Sequence, residues 1–209
     1  MAFPTTGILD SFDRANSATT IGSAWSALES GATKDRGISS NQAYDPDAVY
    51  SWIYWNAGTF GPDCECYMTV SAWIASADAF TLMLRLVSVT VDAYTFDGYD
   101  LKAYEFGTDY LQLERLDNSV STLLGASVSA TLAAGHKIGV QVVGSTLTAF
   151  QDSGSGWVEM FSRTDATYAA AGYVGFYSGA GTAWRVNDFG GGTVVATPLA
   201  PRMMSSVYR

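Results

Sequence analysis

The chain has 209 residues and a mass of 22.2 kDa, a length that all-β sandwiches commonly fold as one unit. Its composition, 48% hydrophobic, 13% aromatic and 15% charged, is too apolar and too sparsely charged for a disordered chain. A formal net charge of −9 repels phosphate backbones and argues against a nucleic-acid partner.

The opening residues Met1 to Gly7 carry no basic stretch followed by an apolar one, and no run of about 18 apolar residues occurs anywhere, so neither export nor membrane insertion is expected. Ala2-Phe3-Pro4-Thr5-Thr6 reads as an extended arm available to a neighbouring subunit. Tyr50, Trp52, Tyr54 and Trp55 form an aromatic run. In it Trp52 and Tyr54 alternate against Ile53 and Trp55, so half of the run must be buried.

From Cys64 to Ile74 the residues Cys64, Cys66, Met68, Val70, Ala72 and Ile74 share one face, predicted to meet the core, and Glu65, Tyr67, Thr69, Ser71 and Trp73 share the other. Two cysteines two apart on a strand stand roughly 6.5–7 Å apart, at or beyond disulfide reach, so both read as small core hydrophobes. Phe80 to Val87 is a strand that is apolar on both sides, with Arg85 on the side of Thr81 and Met83.

Tyr99 to Phe106, Tyr110 to Leu116 and Val120 to Ser127 follow as a meander of hairpins. Lys137 to Val143 and Thr146 to Gln151 flank Gly144-Ser145, a hairpin spacing, and Trp157 to Ser162 comes next. Thr164 to Tyr168 reads as one helical turn capped by Thr164 or Asp165. Gly172 to Tyr177 and Trp184 to Phe189 close the series, and all five prolines fall outside these runs, as ladder hydrogen bonding requires. Gly190-Gly191-Gly192 reads as a break before a tail, residues 193–209, that contains Arg202 and Arg209 and no acid. The expected organisation is an extended segment over 1–8, a sandwich over 9–190, and a Gly-rich hinge with an extended arm over 191–209.

Short strands at even spacing predict an all-β, two-sheet antiparallel jelly-roll sandwich. Three stretches carry a family resemblance: Asp10-Ser11-Phe12-Asp13-Arg14-Ala15-Asn16-Ser17 followed by Ile21-Gly22 and Trp25, then Gly135 to Gly175 with its hairpins, and Asn187-Asp188-Phe189. In these the chain resembles concanavalin A-like, laminin G-like jelly rolls. The resemblance implies that the last strand lies beside the first. Asp10, Arg14 and Asp188 are then candidates for a charge cluster at that seam. Because this sandwich hosts hydrolases, lectins and structural domains alike, the resemblance speaks for fold rather than activity.

No catalytic carboxylate set is legible. Asp63 and Glu65 lack a third member, Glu114 and Asp117 run into a turn, and the lone His136 has no nucleophile elbow beside it. The chain is therefore expected not to be an enzyme. Aromatic faces beside polar groups suit sugars, which makes Trp52, Trp55 and Trp73 the glycan-contact candidates. The resemblance admits calcium, for which Asp97 and Asp100 are the weak candidates, and no other cofactor. In the tail, Pro198, Leu199, Pro201, Met203, Met204, Val207 and Tyr208 give an apolar, proline-stiffened arm suited to gripping another subunit.

Such short laminin G-like chains resemble structural proteins of tailed bacteriophages. The leading expectation is thus a virion protein, in head decoration or the tail, that forms a homo-oligomer, meets other virion subunits and attaches to host-surface glycans. The alternative is a secreted bacterial carbohydrate-binding module or glycoside hydrolase on the same sandwich.

Overall fold

The computed structural model describes residues 2–28, 36–47, 50–73, 78–90, 94–105, 107–179 and 183–195. They form sixteen strands and, among the described residues, no helix. The arm residues 198–208 lie outside the described set.

Two antiparallel eight-stranded sheets face one another. Sheet 1 runs in the order β14 (Trp157–Thr164), β13 (Thr146–Asp152), β12 (Lys137–Val143), β6 (Cys64–Ala72), β16 (Arg185–Thr193), β4 (Gln42–Tyr44), β3 (Gly37–Ser39), with β1 (Ile8–Asp10) also paired to β16. Sheet 2 runs β10 (Val120–Leu123), β9 (Tyr110–Asp117), β8 (Thr95–Glu105), β7 (Asp78–Thr90), β15 (Tyr173–Ser178), β5 (Ser51–Trp55), β2 (Trp25–Ala27), with β11 (Val128–Ser129) on β9. The predicted meander is the run β8 to β10, and the first and last strands are neighbours as expected.

The core is the period-two pattern made solid. Cys64, Cys66, Met68 and Val70 of sheet 1 meet Phe80, Leu82, Leu84, Leu101, Leu113 and Phe176 of sheet 2. Both cysteines are buried and unbridged, and burial pushes the Cys64 thiol up to about 12, so neither is a nucleophile at neutral pH.

The seam explains the opening motif. Asp10 Oδ1 accepts the Phe12 amide at 2.7 Å, its Oδ2 accepts Trp25 Nε1 at 2.8 Å, and Arg14 grips both oxygens at 3.1 and 2.6 Å. One carboxylate thereby ties the first strand to the aromatic group of Phe12, Trp25, Phe176 and Phe189. Asp188 takes no part in this knot.

Three sequence expectations are corrected along the strands and their turns. Arg85 and Ser88 have left-handed backbone (φ 49° and 53°) at a bulge in β7, which swings Leu86 onto the face opposite Leu84. Arg85 is buried and donates to the carbonyls of Pro62, Tyr168 and Gly144 at 2.6, 2.8 and 2.9 Å, tying three loops together. Thr164–Tyr168 forms no helical turn, because Asp165 Oδ1 closes locally on the Thr167 amide and accepts the Tyr99 hydroxyl at 2.7 Å. Gly190–Gly192 is no hinge but the second half of β16. There the Tyr67 ring lies across Gly190, where a Cβ would sit 2.1 Å from it.

The opening segment, in turn, is folded back on its own chain. Phe3 stacks on Phe150 at 4.0 Å over Gly139, where a Cβ would approach the ring to 2.4 Å. Glu65 Oε1 receives the Thr5 and Thr6 amides at 2.5 and 2.7 Å and both their hydroxyls, while Oε2 receives Gln141 Nε2 at 2.7 Å. Glu65, read from the sequence on the face away from the core, is therefore fully buried as the latch of a strap across sheet 1.

Candidate functional site

The outer face of sheet 2 departs from the ordinary polar exterior of a sandwich. Directly opposed residues on antiparallel strands point the same way, so the register of the sheet assembles this face from six strands. One transverse row reads Glu114, Asp100, Met83, Gly175, Tyr54 and Ser26, and the next reads Gln112, Lys102, Thr81, Tyr177 and Trp52. Half of the surface is charged and polar, and half is aromatic.

In the polar half the Lys102 ammonium lies 2.5 Å from Glu114 Oε2 in a close ion pair, and Gln112 Nε2 donates to Glu114 Oε1. Asp100 is the cross-strand partner of Glu114 and is fully buried. Both of its carboxylate oxygens, like the hydroxyl of Thr81, are buried without a hydrogen-bond partner. Burial drives the Asp100 carboxyl well above the ordinary carboxylate range, with Lys102 opposing and Glu114 reinforcing that shift. Burial works against the Lys102 charge, yet Asp100 and Glu114 together hold its ammonium above its usual value. Tyr104 and Tyr110 stack at 4.8 Å beside them.

In the aromatic half Trp52 stacks on Tyr177 at 4.3 Å, Tyr177 on Tyr50 at 6.2 Å with rings 10° from parallel, and Tyr94 meets Trp52 edge-on at 5.9 Å. Trp52 and Tyr177 are 9% exposed, whereas Tyr50 is 57% and Tyr94 42% exposed. The arrangement is a rigid buried pair flanked by two ring faces open to solvent, next to hydrogen-bonding groups.

The three tryptophans singled out from the sequence do not come together. Trp52 belongs to this face, but Trp55 packs inward with its ring edge-on to Trp25 at 5.5 Å, and Trp73 packs on Phe80 at 4.9 Å. Tyr94 and Tyr177 escaped the sequence reading because they reach Trp52 from elsewhere in the chain, Tyr177 from β15 and Tyr94 from the turn before β8. Asp97 and Asp100, the calcium candidates, are engaged separately: Asp97 Oδ1 accepts the Asn118 amide at 2.7 Å, while Asp100 lies near Lys102 and Glu114. Among the described residues no three His, Cys, Asp or Glu side chains gather as metal ligands. Of the dismissed pairs, Glu114 lies on this face and Asp117 binds Arg115 elsewhere. His136 closes on the Thr131 carbonyl.

No family model matches the chain, and no curated protein does so by sequence. Solved structures match in fold. The carbohydrate-binding module CBM66 from Bacillus subtilis aligns over 84% of this chain and 95% of its own at 13% identity, with a TM-score of 0.54. The exoplasmic/lumenal domain of VIP36, bound to Ca2+ and Man3GlcNAc, aligns over 85% and 86% at 15% identity, with a TM-score of 0.60. A legume lectin-like domain from Entamoeba histolytica aligns over 82% and 89% at 10% identity, with a TM-score of 0.52. The architecture is the concanavalin A-like jelly roll of carbohydrate-binding modules and lectins.

Proposed function

We propose that the protein is a glycan-binding sandwich that holds a saccharide on the outer face of sheet 2 and does not cleave it. The observation that carries this reading is the juxtaposition of the exposed rings of Tyr50 and Tyr94, braced by the Trp52–Tyr177 stack, with Lys102 and Gln112 and with Tyr104 in the row beside them. A pyranose offers an apolar C–H face and a hydroxyl edge together, and such a surface meets both. The likeness to CBM66 and to the Man3GlcNAc-bound VIP36 domain supports the ligand class.

The same residues support binding without turnover. Glu114 is occupied by Gln112 and Lys102, and Asp100 is sealed beneath them, so neither carboxylate is free to reach an anomeric carbon. The neighbours lend no support to the particle role expected from the sequence. The described end of the chain that was to grip a neighbour, Ala2–Thr6, grips its own sheet instead. A glycan array and pull-down on insoluble polysaccharides test the proposal. Retention that is lost in Tyr50→Ala and Tyr94→Ala is expected. No retained glycan, or retention indifferent to both changes, overturns it, and reducing-sugar release from any bound glycan overturns the non-hydrolytic half.

A further inference from the structure

The outer face of sheet 1 carries a second recess, unrelated to the surface just described. It holds about 240 Å³ beside the N-terminal strap and is bounded by Pro4, Tyr67, Thr69, Lys137, Trp157 and Asp188. Drug-sized ligands fill about 300–1,000 Å³, so this space takes one small ring.

Its walls are aromatic. Trp157 stands edge-on to Phe3 at 4.8 Å and to Tyr67 at 5.9 Å, so the strap that buries Phe3 also fixes the indole. Its floor is polar, because Thr69 and Lys137 are cross-strand partners on β6 and β12.

Asp188 is the unusual member. The pairing of β16 with β6 slips between Asn187 and Gly190, and at that bulge Asp188 adopts left-handed backbone, φ 49°. Among the described residues no hydrogen bond or ion pair holds its carboxylate, although it is near enough to Tyr67 to help raise that hydroxyl, after the larger effects of burial and of Glu65. A strained bulge that presents an uncommitted carboxylate beside an indole marks a binding position more readily than a packing one. Opposite it, Lys137 pairs with Asp152 at 3.5 Å and keeps 43% of its side chain exposed. Asp152 also accepts the amides of Gly154 and Gly156 at 2.8 and 2.9 Å, and an ammonium has three donors, so this one pairing leaves others to face the recess.

We infer that this recess is a separate site for a single neutral hexopyranose, whose C–H face lies on Trp157, whose vicinal hydroxyls donate to Asp188 and whose remaining oxygens accept from Lys137 and Thr69. The opposite charges of Asp188 and Lys137 select an uncharged polyol over an ionic ligand. The inference takes its ligand class from the glycan-binding proposal but none of its residues. With sites on both outer faces, one molecule bridges two saccharide chains or grips one branched surface twice, gaining avidity from weak single contacts.

The test is titration of the full chain with methyl glycosides of glucose, mannose and galactose and with N-acetylglucosamine, each to 100 mM in the manner of roughly millimolar single-ring affinities. The indole N–H resonance of Trp157 is followed by NMR and assigned with Trp157→Phe. At least one glycoside is expected to shift that resonance. In Asp188→Asn, which tolerates the left-handed backbone, the affinity should fall about tenfold or more, as loss of charge-assisted hydrogen bonds implies. Tyr50→Ala and Tyr94→Ala should leave the titration unchanged. If no glycoside moves the Trp157 signal, or if Asp188→Asn binds as well as the parent, the inference is wrong even where array binding through Tyr50 and Tyr94 stands.

Discussion

Replacing Asp100 with Asn should make the protein more stable, and increasingly so as pH rises. Asp100 is fully buried, both its oxygens lack hydrogen-bond partners, and its cross-strand neighbour is another acid. Asn keeps the shape and removes the charge. Folding at neutral pH must either protonate this carboxyl or bury its charge, a cost of about 2 kcal/mol that Asn avoids, which for a chain of this size raises Tm by about 4–8 °C. The folded-state pKa of Asp100 lies above its unfolded value. Its favourable contribution is therefore complete below about pH 4, the unfolded carboxylate range, and is lost as pH climbs through the raised folded value. Thermal melts of both proteins from pH 4 to 8 should coincide at the acid end and diverge toward neutrality. A Tm gap that is zero or negative at pH 7, or one that stays flat across the range, refutes the reasoning.

Three other changes probe the frame around the two surfaces. Glu65→Ala removes the acceptor of four strap hydrogen bonds and should cost about 2–4 kcal/mol, with the Thr5 and Thr6 amides becoming fast in hydrogen exchange. If those amides stay protected, the latch is misassigned. Gly139→Ala should cost about 1–3 kcal/mol by evicting Phe3. The same change in a Phe3→Ala background should cost far less, so equal penalties in a double-mutant cycle would contradict the contact. Arg85→Met strands three loop carbonyls and should lose about 3 kcal/mol or more in denaturant unfolding, whereas a change under 1 kcal/mol would show the loops hold without it.

What could be read from the sequence, and what could not, divides along a physical line. Period-two alternation is local, so it placed Ile53 and Trp55 against Trp52 and Tyr54 on opposite faces, and it put Cys64, Cys66, Met68 and Val70 in the core. Turn chemistry is local too, and it placed the β12–β13 hairpin. The candidate site is not local. That Glu114 stands opposite Asp100, and that Tyr177 lies under Trp52, follows from cross-strand register and from a crossover that sets β15 between β7 and β5. Neither leaves a mark in the order of residues. The bulge at Arg85 defeated simple alternation for the same reason, since the extra residue is selected by the three carbonyls it serves elsewhere in the fold. Gly190 to Gly192 looked like flexible punctuation because glycine's other use, letting the Tyr67 ring lie flat on a strand, is visible only once that partner is in place.

The outer faces of the two sheets also differ in what they conceal, and that difference bears on function. On sheet 1 the fully buried Glu65 is saturated by the strap and Gln141, as a structural carboxylate should be. On sheet 2 the fully buried Asp100 has no hydrogen bond and is countered by a lysine shared with Glu114. Two acids at equivalent depth, one satisfied and one not, contribute differently to folding stability. Under the glycan-binding proposal the unsatisfied one helps fix the charge and position of Lys102 in front of the aromatic wall, at a cost in stability.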